Sequence, residues 1–275
     1  MLSAIPFKFL AQIHYMFFHF HIFLYSLVFF FILEFIAGDV ISSRLADVSG
    51  TGGGIWLAIL AFLLLFVYFY QITKRVSQRI SMTPIPLLLV VSTLGLLYFV
   101  QSIKQEQLLI LLSAFAYYFL HIALYRLRSY EKDQTARGII AAGSVATIFL
   151  FNATAYGIYL NFAISLWILM TMLMAITVLV SFQYFWLIND NKKNVLNYSL
   201  VLGFVMAEIV WVLNFWPFGY LTTGVISLIF YYVFWDLVQC HFLNTLSKKR
   251  VITNMFFFGV LMALVLSSTR WLPVL

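Results

Sequence analysis

Residues 138–189 run for 52 positions without an Asp, Glu, Lys or Arg. A bilayer core about 30 Å thick is crossed by about 20 apolar residues of helix. The run is therefore too long for one crossing and reads as a hairpin of two. Asn152, Gly157 and Asn161 are its softest points, which predicts a turn near Tyr156–Asn161. A second such run, residues 9–33, follows Lys8. A signal-peptide apolar region spans about 7–15 residues, so this one reads as an uncleaved first span.

The rest of the chain repeats the pattern. Of the 275 residues, 64% are hydrophobic and 9% charged, against roughly a quarter charged in soluble domains. That excludes a soluble domain, a disordered chain and a secreted disulfide scaffold. About nine spans are predicted, over residues 13–37, 54–73, 84–103, 107–125, 138–156, 162–187, 195–215, 220–246 and 252–268. Pro84 and Pro86 open the third span, where proline is tolerated. Pro217 and Gly219 turn the chain between the seventh and eighth. The fold class expected is an all-α polytopic transmembrane helical bundle. It forms a single integral membrane domain over residues 1–275, with no internal repeat and no loop long enough to fold alone.

The charges orient this bundle. With nine spans, 13 Lys and Arg fall on one side and Arg44, Lys104 and Arg270 on the other. Basic loops stay cytoplasmic, so the N-terminus is expected inside and the C-terminus outside. The compartment expected is a bacterial-type cytoplasmic (inner) membrane. The net charge of +7 sits in short loop clusters suited to anionic lipid. No basic stripe interleaved with aromatics suggests nucleic acid. The one cysteine, Cys240, excludes an internal disulfide and a multi-cysteine metal site.

Ionisable groups inside spans are costly and mark function. Glu208 and Asp236 are the leading candidates. At 1.5 Å per residue, Glu208 lies about 13 Å below the turn at Pro217, and Asp236 about 28 Å below it. They are too far apart in depth to share a proton. Glu208 is expected to line a polar cavity opening outward, with Trp211 and Phe215 on its helix face and Ile226 and Ser227 at its level. Asp236 is expected at the level of Asn197 and Tyr198, with Tyr232 and Gln239 on its own face. Its depth also allows pairing with a base from the inner loops.

A second set of acids comprises Glu34, just before the first outer loop, and Asp39 and Asp47 within it, where solvated loop charge is the preferred reading. This acidic loop is similar to that of membrane glycosyltransferases acting on polyprenyl-linked sugars, although it is shorter and lacks a paired Asp-x-Asp. The glycines at 50, 52, 53 and 54 lack the Lys-Ser/Thr of a phosphate loop. His14 and His21 share a helix face near His19, and His121 is a potential facing partner for haem. Interfacial histidines are the preferred reading, and no metal or cofactor is expected. The nine-span count of membrane prenyltransferases is matched, but their aspartate-rich Mg²⁺ motifs are missing.

Three functions fit these residues. One is a transporter-like or solute-binding protein built around Glu208. Another is an enzyme acting on a lipid-linked substrate at the outer face. The third is a membrane scaffold or assembly partner without a small-molecule site. Partners expected are membrane lipid, a small solute or lipid-linked substrate, and a protein partner or second copy; nucleic acid is not expected.

Overall fold

In a bilayer no water satisfies the backbone, so a spanning chain bonds its own amides as helix. The computed structural model describes residues 7–38 and 53–269, and among these there is no strand. The nine α-helices are α1 (Phe7–Ala37), α2 (Gly53–Ser77), α3 (Pro84–Leu97), α4 (Ile103–Ser129), α5 (Gln134–Phe162), α6 (Leu166–Trp186), α7 (Lys192–Leu213), α8 (Tyr220–Phe242) and α9 (Lys248–Ser268). A 3₁₀ turn, Ile80–Met82, precedes α3. With it, α3 makes an 18-residue apolar stretch, and nine segments among the described residues are long and apolar enough to cross a membrane.

Several boundaries differ from the sequence reading. The turn expected near Tyr156–Asn161 lies inside α5, which continues to Phe162. Asn161 keeps the helix going by donating its side-chain amide to the Gly157 carbonyl at 2.8 Å. Gly157 is there for space, since a Cβ on it would sit 2.6 Å from the Phe99 ring. The chain reverses instead at Ala163, with φ 49°, a left-handed cap of the kind that ends helices. The third span expected to reach 103 ends at Leu97, and α4 begins at Ile103 rather than 107.

The chain divides into two compact units. The first comprises Met1–Ile80 and Val100–Ile139, and α4 packs there against both α1 and α2. Phe29, Phe69 and Tyr117, one from each helix, meet with ring centroids 4.8–5.8 Å apart. Ser26 donates to the Ala114 carbonyl at 2.8 Å and ties α1 to α4.

The second unit comprises Ser81–Phe99 and Ile140–Leu275. Lipid gives little hydrophobic drive for helices to associate, so small residues and interhelical hydrogen bonds hold such packing together. Gly203 brings α7 onto α6, where a Cβ would lie 3.1 Å from the Met174 carbonyl oxygen. Gly224 does the same for α8 on α5, at 3.2 Å from the Ala153 backbone nitrogen. Polar side chains complete the contacts. Asn152 donates to Ser227 at 2.9 Å, and Thr154 to the Ser92 carbonyl at 2.8 Å. Gln183 on α6 accepts from the Ile85 N–H at 2.9 Å and donates to the Met82 carbonyl at 3.0 Å. It thereby supplies partners to the helix start that Pro84 opens.

Candidate functional site

Helix α7 decides where Glu208 points. Leu202, Met206, Val210 and Leu213 form its buried stripe, each no more than 2% exposed. Gly203 and Ala207 extend that stripe against neighbouring helices. The opposite stripe, Val201, Phe204, Trp211 and Phe215, is exposed, and Glu208 belongs to it. Glu208 therefore does not enter an enclosed polar cavity. The inward positions are filled by apolar and small residues that pack, which leaves the acid outward. Ile226 and Ser227, expected at its level, are turned inward, and Ser227 is occupied by Asn152.

What Glu208 lines is a groove of about 300 Å³ between α7 and α8, with Val205, Ile209, Val212, Trp216, Phe230 and Phe234. It has no hydrogen-bond or ion-pair partner among the described residues. Trp211 stands outside, edge-on to Phe215 with centroids 5.3 Å apart. Trp211 is on the outer surface of α7 and Phe215 is in the turn that follows it, both exposed.

Asp236 has the opposite environment. It is buried on α8 and receives the Asn254 side-chain amide at 2.6 Å, the Arg250 guanidinium at 3.4 Å and the Cys240 thiol at 3.5 Å. Arg250 and Asn254 are one turn apart on α9, so both reach the carboxylate from one face. The start of α9 is fixed by Ser247, whose hydroxyl accepts from the Arg250 N–H at 3.3 Å. Asp236 thus closes the α8–α9 hairpin. Asn197 and Tyr198, expected beside it, are elsewhere. Asn197 is exposed, and Tyr198 shares a 3.0 Å hydrogen bond with His241. The Asn254 contact had a signal in the sequence: a polar residue four positions after a basic one, opposite a buried acid.

At the other acidic region, Glu34 is half-buried and accepts from Gln107 on α4 at 3.2 Å. Asp39 and Asp47 lie outside the described residues. His121 is fully buried in the first unit. Its Nδ1 faces the Tyr117 carbonyl at 2.8 Å and so carries the proton, leaving Nε2 to accept from the Thr73 hydroxyl at 3.2 Å. Both nitrogens are thus engaged within the protein. His21 bonds its own helix at the Phe17 carbonyl, 2.7 Å away. No group of three His, Cys, Asp or Glu among the described residues could hold a metal ion.

The loop joining α4 to α5 carries paired charges. Arg79 bonds Glu131, and Arg126 bonds Asp133 at 2.8 Å. The Arg79 hydrogen bond holds the Glu131 carboxyl below the usual carboxylate range. Asp133 is lowered first by the Ala136 N–H, which it accepts at 3.1 Å, and then by Arg126. Glu131 is exposed, whereas Asp133 is partly covered and caps the start of α5.

Nine segments among the described residues that are long and apolar enough to cross a membrane, with small-residue contacts and buried polar clips between them, are compatible with a multi-pass membrane protein. Residues 71–272 match the family described as "Protein of unknown function (DUF5656)", and the chain belongs to that family. Glu208 and Asp236 fall within the matched residues, whereas Glu34, Asp39 and Asp47 fall before them. No curated protein and no solved structure matches the chain.

Proposed function

We propose that this is a solute-binding membrane protein, transporter-like in design, whose site is the α7–α8 groove at Glu208. The observation that carries the reading is a carboxyl without an intramolecular partner on an apolar helix face. Placing an acid at the centre of a span costs about 2.5–3.5 kcal/mol, and such groups otherwise pair or face the bundle interior. Asp236 follows that rule and Glu208 does not. A ligand that engages Glu208 would offset its cost; packing within this chain does not. The 13-to-3 division of basic residues supports a cytoplasmic N-terminus and an outer C-terminus in a bacterial inner membrane. In that frame the groove lies in the outer half of the bilayer.

The test is a lipid and metabolite inventory of protein purified in its native lipid, beside the Glu208→Gln and Glu106→Gln variants. One reproducible small molecule, retained by Glu106→Gln and lost from Glu208→Gln, is the expected result. Identical inventories for all three would refute the reading.

A further inference from the structure

Resting on that reading, we infer that the groove takes a lipophilic cation, a positively charged group on an apolar body, entering sideways from the bilayer. Three features of the groove select this class. Its single ionisable side chain is an acid: no Lys, Arg or His lines it to recruit an anion. Trp216, Phe230 and Phe234 supply aromatic walls, whose ring faces attract cations, more strongly where water is excluded. The remaining wall, Val205, Ile209 and Val212, is aliphatic and suits an alkyl or aryl body.

Access follows from exposure. Glu208 and Val212 lie on the outward stripe of α7, so the groove opens to whatever surrounds the bundle at that depth. Glu208 is about 13 Å below the Pro217 turn by helical rise. A solute reaching it must already be dissolved in hydrocarbon, which a fully hydrated metal ion or sugar is not. The occupant therefore brings its own apolar surface and leaves its charge for the carboxylate.

The experiment uses tetraphenylphosphonium and tetraphenylborate, two probes of nearly equal shape and opposite charge. Binding to the full chain in lipid nanodiscs is measured by equilibrium dialysis against empty nanodiscs. Saturable binding of one tetraphenylphosphonium per chain is expected, without matching tetraphenylborate binding. Glu208→Gln should weaken it about tenfold or more without lowering the thermal midpoint, since Glu208 has no internal partner. Val212→Trp, which fills the groove, should abolish it.

Equal binding of both probes, insensitive to Glu208→Gln but lost in Val212→Trp, would overturn the cation assignment and leave a neutral-solute groove standing. Binding insensitive to both variants, or none above empty nanodiscs, would overturn the assignment. In that case the co-purification inventory judges the groove separately. A stable dimer that dissociates in Glu208→Gln would also overturn it, by giving the groove to a second copy of the chain.

Discussion

Asn254 donates its side-chain amide to the Asp236 carboxylate at 2.6 Å, joining α9 to α8. With the Arg250 pair, the contact is the polar anchor of α9, whose other contacts are apolar: Phe258, Met262, Val265 and Leu266 pack on a cluster that includes Ile226 and Ile229 of α8. Met262 is its only buried side chain, so most of its surface faces away from the bundle. An interhelical hydrogen bond within a membrane averages about 0.6 kcal/mol and reaches about 1.7. A charge-assisted one belongs at the upper end. Cys240, 3.5 Å from the same carboxylate and almost fully buried, reports on whether the clip is closed.

Asn254→Ala should therefore speed labelling of Cys240 by a water-soluble maleimide about tenfold, the equivalent of about 1.4 kcal/mol. Cys240 is the single cysteine of the chain, so the signal is specific. Asp236→Ala should speed it further, because Arg250 then loses its partner too. An unchanged rate in both variants would mean that α9 is held by its apolar contacts alone.

Gln183 joins α6 to the start of α3 through two hydrogen bonds. Gln183→Leu leaves the Ile85 N–H and Met82 carbonyl without that partner in a buried place. The expected cost is about 1–3 kcal/mol, read as a lower thermal midpoint in detergent. Gln183→Glu, whose protonated carboxyl can both accept from Ile85 and donate to Met82, should fall between Leu and wild type. A midpoint for Gln183→Leu equal to wild type would count against this role.

The glycines separate into contact and spacer positions. Gly203→Ala drives a methyl against the Met174 carbonyl oxygen and the Val178 side chain, whereas Gly259 has nothing within 4 Å of an added Cβ. Overpacking costs about 1–3 kcal/mol, so Gly203→Ala should lower the thermal midpoint. Gly259→Ala should hold or raise it, since alanine favours helix. The opposite order would show that α6 and α7 do not approach as described.

Glu131 and Asp133 have folded-state carboxyls lowered below their usual range. Their contribution to stability is present above the unfolded carboxylate value and disappears as pH falls through the lowered ones. The thermal midpoint of the wild type should exceed that of a Glu131→Gln, Asp133→Asn double variant at pH 7. The gap should persist to about pH 5 and shrink as pH falls through and then below the usual carboxylate range. A gap that widens in acid would contradict the sign.

The helices themselves were legible because a charge-free run of sufficient length has few alternatives in a bilayer. The side that each helix turns inward was not. On α7 the buried stripe (Leu202, Met206, Val210) and the exposed stripe (Val201, Phe204, Trp211) are both apolar. Hydrophobic periodicity therefore carried no inside–outside signal, and Glu208 read as an inward acid. Small residues carried the missing information: Gly203 and Ala207 mark the face that approaches other helices. The turn after α5 was misplaced for a related reason. Asn161 and Gly157 break soluble helices, but here one bonds its own backbone and the other makes room for Phe99.

The claim that organises this account is that Glu208 faces the bilayer and not an enclosed aqueous cavity. A nitroxide at position 208, introduced as Glu208→Cys in a Cys240→Ser background, tests it through collision with two relaxing agents. Oxygen concentrates in hydrocarbon, and nickel ethylenediaminediacetate stays in water. The account predicts strong relaxation by oxygen and little by the nickel complex, close to the pattern of a label at the exposed neighbour Phe204. Relaxation dominated by the nickel complex would place position 208 in a water-filled cavity and contradict the account.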